Sequence, residues 1–105
     1  MKLKKIAAAC ALAATALLGA PAQAQISGDV IRIGLITDMS SVYADIDGQA
    51  GAEAIKMAIA DLGGSVAGKK VEVLVADHQN KPDVAAAKAR EWFDTQGVDM
   101  LVGGT

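Results

Sequence analysis

The sequence has little of what most site chemistries need: one cysteine, one histidine, two prolines and three aromatic residues, one each of Trp, Tyr and Phe. A lone thiol, Cys10, cannot close an intramolecular disulfide. It also falls in a segment read below as a cleaved leader, so the remainder has no thiol nucleophile and no thiolate metal site. One histidine without a carboxylate cluster makes a poor zinc site. Positive charge is scarce as well. Residues 25–105 carry seven basic against twelve acidic side chains, a net charge of −5, which excludes the basic footprint of a nucleic-acid binder. No nucleophile elbow of the form G-x-S-x-G is present, and no G-x-G-x-x-G follows the first strand, where Gly34 stands alone and the next glycine is Gly48. Nothing in the sequence gives positive support to catalysis.

What is present begins with an address. Lys2, Lys4 and Lys5 form a positive start, Ile6 to Leu18 an apolar run, and Ala22-Gln23-Ala24 a small-x-small cleavage box, the three parts of a secretory signal peptide over residues 1–24. As a helix the run spans about 20 Å, short of the roughly 30 Å hydrocarbon core, so export with cleavage before Gln25 is expected rather than a retained anchor. Cys10 follows only Ile6 and three alanines, too little apolar sequence for a lipoprotein cut, and reads as a small apolar residue.

The remaining 81 residues are about 47% apolar, an ordinary globular value that argues against disorder. Val30 to Ile36 is a β-branched run without sustained alternation, as expected of a strand covered on both faces. From about Ile46 to Leu62 the period becomes helical, with Ile55, Ala58, Ile59 and Leu62 on one stripe, and Gly63-Gly64 stops it. Val71 to Ala76 reads as a second strand. Pro82 and Asp83 open a second helix, with Asn80 as the expected cap and a buried stripe of Ala85 or Ala86, Ala89, Trp92 and Phe93. Asp99 to Val102 is a third strand. The order β-α-β-α-β requires parallel strands with right-handed crossovers, the start of a doubly wound α/β sheet. Three strands and two helices leave sheet edges unpaired and helix faces partly bare, so residues 25–105 are expected to be an incomplete portion of a larger lobe.

Ligands of such sheets bind at the carboxyl ends of the strands. Three segments arrive there: Thr37 to Ala44, Asp77 to Asn80, and Gly103-Gly104-Thr105. The first is the richest, offering serine hydroxyls, a carboxylate and the only tyrosine. Its structural alternative is a loop whose serines cap the helix and whose tyrosine covers the sheet edge. Asp77, His78, Asn80 and Pro82 read as turn and cap chemistry rather than acid–base chemistry. Asp38, at the end of the first strand, has no nucleophile–base partner to make it catalytic. Gly63 to Lys69 matches G-x-x-x-x-G-K, but Lys70 replaces the magnesium-binding hydroxyl and the segment runs from helix to strand. It is therefore a surface connection and not a phosphate loop.

Taken in order, the exported leader, Ile31-Arg32-Ile33-Gly34-Leu35-Ile36-Thr37-Asp38-Met39-Ser40, the tyrosine-containing loop, Gly51-Ala52-Glu53-Ala54, and Asp77 to Pro82 before an alanine-rich helix form a specific set. Over residues 30–105 it resembles the N-terminal quarter of the periplasmic solute-binding proteins of branched-chain amino acid ABC transporters, the leucine-isoleucine-valine-binding family. The resemblance implies the first part of lobe one of a two-lobed type I periplasmic binding protein. It implies no enzyme, cofactor or metal, a periplasmic location, an amino acid, amide or organic acid as ligand, and an inner-membrane ABC permease as partner. The family's Met-Ser-Gly-Pro segment falls on Met39-Ser40-Ser41-Val42, with glycine and proline replaced. Its carboxylate-clamping loop starts around Gly103-Gly104-Thr105. The ligand-binding residues it implies here are Ser40, Ser41, Tyr43, Gly104 and Thr105. Two alternatives remain at this stage: an exported α/β enzyme with its catalytic residues past Thr105, and the ligand-sensing ectodomain of a receptor.

Overall fold

A computed structural model describes residues 26–103; the leader, Gly104 and Thr105 lie outside the described residues. The elements are β1 (Val30–Thr37), α1 (Ala44–Asp61), β2 (Ser65–Val66), β3 (Lys69–Asp77), α2 (Pro82–Thr95) and β4 (Met100–Gly103). They form one sheet in the order β2-β3-β1-β4. β1 lies parallel to β3 from Val30↔Lys70 to Thr37↔Asp77, and parallel to β4 from Ile33↔Met100 to Ile36↔Gly103. The expected α/β architecture is therefore present, with β1 at the centre of its three parallel strands.

Because side chains alternate along a strand, β1 presents Gly34 and Ile36 to one face of the sheet and Leu35 and Thr37 to the other. Trp92 of α2 lies over Gly34 and packs with Ile36 and Val98, while Leu74, Ala76, Ala85 and Ala89 surround them. Gly34 and Trp92 fit each other closely. A Cβ at Gly34 would stand 2.7 Å from two carbons of the indole ring, so the ring occupies the space that glycine vacates. Phe93, expected on the same buried stripe, is half exposed. Its position immediately after Trp92 turns it about 100° around the helix and away from the sheet.

α1 covers the other face, with its contact stripe rotated from the expected one. Gly48 and Ala52 are its buried residues, Ile55 and Ile59 are half-buried, and Ala58 and Leu62 are exposed. The smallest residues, not the largest, meet the sheet end, and they let the helix approach closely.

The Gly63 to Lys70 connection is a surface segment, but it also holds a short strand that the period analysis leaves out. β2 pairs antiparallel with the start of β3 through Ser65↔Lys70 and Val66↔Lys69. Ala67 and Gly68, at φ 51° and 78°, close the hairpin. Two successive positive φ values define the tight turn whose twist matches paired strands. The α2 cap also differs from expectation. Lys81 is the N-cap residue and no side chain caps the helix, because Asn80 is held at φ 56° in the preceding turn.

At the amino ends of the strands, Asp99 ties the first described residues to the sheet. Its carboxylate accepts hydrogen bonds from the Ser27 N–H (2.7 Å), the Ser27 hydroxyl (2.8 Å) and the Arg32 N–H (2.9 Å). The Ser27 and Arg32 N–H groups and the Ser27 hydroxyl together hold its pKa below the ordinary carboxylate value.

Candidate functional site

The site is built at the opposite, carboxyl end of the sheet, where β1 gives way to the loop Asp38–Tyr43. Asp38 is fully buried. One carboxylate oxygen accepts the N–H of Ser40 (3.3 Å) and of Ser41 (2.8 Å). The other accepts the N–H of Tyr43 (2.9 Å) and the hydroxyl of Ser41. Four donors thus converge on the four lone-pair directions a carboxylate offers. Burial works to raise its pKa, but the Ser41 hydroxyl and the N–H groups of Tyr43, Ser41 and Ser40 outweigh it and lower the value to about 2. Asp38 is an anion neutralised by main-chain dipoles, with no oxygen left for acid–base work.

Asp77, register partner of Thr37, fixes the base of the same loop. One of its oxygens accepts the N–H of Met39 (3.0 Å) and of Gln79 (2.8 Å), joining the segments that follow β1 and β3. The Ser40 hydroxyl is the leading cause of its lowered pKa, followed by those two N–H groups. The buried Thr37 hydroxyl donates to Asp47 (3.0 Å) in the first turn of α1. Gly48 brings that helix so near that a Cβ there would lie 2.7 Å from the Asp38 carbonyl oxygen.

The serines therefore do not cap α1, whose N-cap residue is Tyr43 with no side-chain cap bond. The Ser41 hydroxyl is spent on Asp38, and Ser40, Ser41, Val42 and Tyr43 form an exposed lip, with Val42 76% and Tyr43 42% accessible. Ser40, Ser41 and Tyr43 thus stand together on one loop, while Gly104 and Thr105 lie outside the described residues. An apolar groove at the same sheet end is lined by Ile36, His78, Ala85, Ala86, Ala89, Leu101 and Gly103, and the lip residues do not border it. His78 behaves as the turn chemistry predicts: its Nδ1 accepts the Asn80 N–H (2.9 Å) and its carbonyl the Lys81 N–H (2.9 Å). Among the described residues no cluster of His, Cys, Asp or Glu could hold a metal, and no helix is long and apolar enough to cross a membrane.

Asp38, Asp47 and Asp77 are the organising residues that sequence reasoning assigned to other roles or passed over. The signal for Asp38 was available: an aspartate followed two and three residues on by free N–H donors is an Asx-turn pattern. No local pattern announces Asp77 on Met39, because the pair is made by strand register.

A buried loop anchor and an exposed polar and apolar lip at the carboxyl ends of parallel strands define the opening part of an α/β ligand-binding lobe. The chain belongs to the family described as "Periplasmic binding protein", whose model matches residues 30–105. Solved structures agree. A periplasmic binding protein from Burkholderia mallei is 68% identical with a TM-score of 0.71, over 72% of this chain and 20% of that one. A branched-chain amino acid ABC transporter ligand-binding protein from Burkholderia xenovorans is 49% identical with a TM-score of 0.65, over 68% and 19%. An ABC transporter solute-binding protein from Rhodopseudomonas palustris, solved with 3,4-dihydroxybenzoic acid, is 34% identical with a TM-score of 0.65, over 70% and 20%. The chain thus spans about a fifth of the length of these structures. A search of curated proteins finds no match.

Proposed function

We propose that this chain opens the non-catalytic, periplasmic solute-binding component of an ABC importer, exported by its cleaved leader. Its ligand is an amino acid, a related amide or an organic acid, bound in a cleft between two lobes and delivered to an inner-membrane permease. The observation that carries the reading is the loop Asp38–Tyr43, hydrogen-bonded through its main chain at the carboxyl edge of the central strand with Ser40, Ser41, Val42 and Tyr43 exposed, in a chain of this family. Ser40 and Ser41 supply polar contacts, the Tyr43 ring walls the ligand's apolar body, and Gly104 and Thr105 begin the clamp on its acidic end.

The test is calorimetry on the full-length protein with L-leucine, L-valine, propanamide and 3,4-dihydroxybenzoate, repeated on Ser40→Ala, Tyr43→Ala and His78→Ala variants of confirmed fold. A hydrogen bond to a charged ligand group is worth about 1.5–3 kcal/mol, so Ser40→Ala weakens binding roughly ten- to a hundredfold. Tyr43→Ala lowers affinity and reorders ligands of different apolar size, while His78→Ala leaves affinity nearly unchanged. Unchanged affinity in both loop variants sinks the proposed contacts, and a large loss at His78 moves the site to the end of β3.

A further inference from the structure

The loop's exposed lip has no packing to hold it, since Ser40, Ser41, Val42 and Tyr43 are all exposed and Tyr43 as N-cap receives no side-chain bond. A loop of this kind ordinarily samples many conformations, and ordering it on binding opposes affinity. Here its main chain is instead fixed from beneath, by a carboxylate that the sheet buries. We propose that Asp38 is the positioning residue of the ligand loop: it holds the N–H groups of Ser40, Ser41 and Tyr43 together with the Ser41 hydroxyl, and so presets the lip in the ligand-free protein. This rests on the reading of Ser40 and Tyr43 as ligand contacts.

Three features carry the inference. The four donors come from residues two, three and five positions past Asp38, so the carboxylate closes the whole loop and not a single turn. The carboxylate cannot retreat, because the Asp38 carbonyl oxygen sits against Gly48 of α1 and the next residue, Met39, is held through its N–H by Asp77. The two carboxylates also divide the work. Asp77 takes the N–H groups of Met39 and Gln79 and none of the N–H groups held by Asp38, so the two carboxylates fix different main-chain positions. Only a carboxylate fits the first anchor, because an asparagine amide would turn a donor toward one pair of donors.

The experiment is hydrogen–deuterium exchange on the ligand-free full-length protein, comparing wild type with Asp38→Asn and Asp77→Asn, alongside titration with L-leucine and 3,4-dihydroxybenzoate. In wild type the amides of Ser40, Ser41 and Tyr43 are protected despite their exposure. Asp38→Asn speeds exchange at these three by about tenfold or more and leaves Leu35 and Val73 protected, as expected for loss of hydrogen bonds to a charged acceptor. Asp77→Asn speeds Met39 and Gln79 instead. A probe that binds wild type binds Asp38→Asn about tenfold or more weaker, although residue 38 has no oxygen free to touch it. Fast exchange of the three amides in wild type overturns the proposal. So does an Asp38→Asn loss spread evenly over Leu35 and Val73, which marks a purely global role, and so does unchanged affinity for a probe that wild type binds. Should Asp38→Asn fail to fold, the wild-type rates and the Asp77→Asn pattern, with Ser41 and Tyr43 still protected, decide the question. A wild type that binds neither probe counts against the ligand class alone, and the exchange pattern decides the positioning role independently.

Discussion

Two glycines one turn apart in α1 should respond to the same substitution in opposite directions. Glycine inside a helix is about 0.5–1 kcal/mol less favourable than alanine, so Gly→Ala in α1 is stabilising wherever the added methyl fits. At Gly51 it fits: the nearest foreign atom to the new Cβ is the Asp47 Cβ at 3.6 Å, an ordinary van der Waals distance. At Gly48 the Cβ would meet the Asp38 carbonyl oxygen at 2.7 Å and the Met39 Cα at 3.4 Å. Both are main-chain atoms, and neither is free to move while Asp38 and Asp77 hold the loop. Overpacking of this kind costs about 1–3 kcal/mol. After the helix gain is set against it, Gly48→Ala destabilises by roughly 0.5–2 kcal/mol while Gly51→Ala stabilises by up to about 1 kcal/mol. Urea unfolding of the full-length protein, followed by circular dichroism, reads the two midpoints on either side of wild type. A Gly48→Ala midpoint at or above that of wild type would refute the close approach of α1 to the loop.

Gly34→Ala should destabilise by about 1–3 kcal/mol through its collision with the indole. Combined with Trp92→Leu, which frees that space, it should cost measurably less than the sum of the single variants in a double-mutant cycle; strict additivity contradicts the fit. Acid should weaken the fold through Asp38. Its folded pKa of about 2 lies below the ordinary value near 3.9, so the unfolded chain binds the proton more readily. The stabilisation is complete above about pH 4 and is lost as pH falls through about 2. Urea midpoints between pH 5 and 2.5 should therefore fall more steeply for wild type than for Asp38→Asn, and parallel slopes would be evidence against the anchor.

The parallel strands, both helices and the glycine stops were legible in the sequence because each rests on local period and backbone preference. Register was not, since the pairing of Val30 to Thr37 with Lys70 to Asp77 is fixed between strands and not within either run. Nor was the contact face of α1. Helical spacing pointed to a stripe of Ile55, Ala58, Ile59 and Leu62, whereas the helix is set down on Gly48 and Ala52, where closeness to the sheet end decides. The site divided in the same way. Ser40, Ser41 and Tyr43 were found as exposed chemistry, but Asp77 acts across strand register on Met39, and a linear pattern carries no trace of that.

Asp99 and the loop Asp38–Tyr43 lie at opposite ends of the sheet, and that separation has a practical use. Ser27 is stapled by Asp99 at the amino ends of the strands, and the eight residues of β1 carry the chain about 26 Å from there to the lip. A fluorescent protein or affinity tag joined ahead of Ser27 is thus attached at the base of the sheet, away from the loop proposed to meet the ligand. The same spacing makes the base a poor place for a reporter of binding. An environment-sensitive dye belongs on the lip itself, where Val42 is 76% accessible and its neighbours are held in place from below.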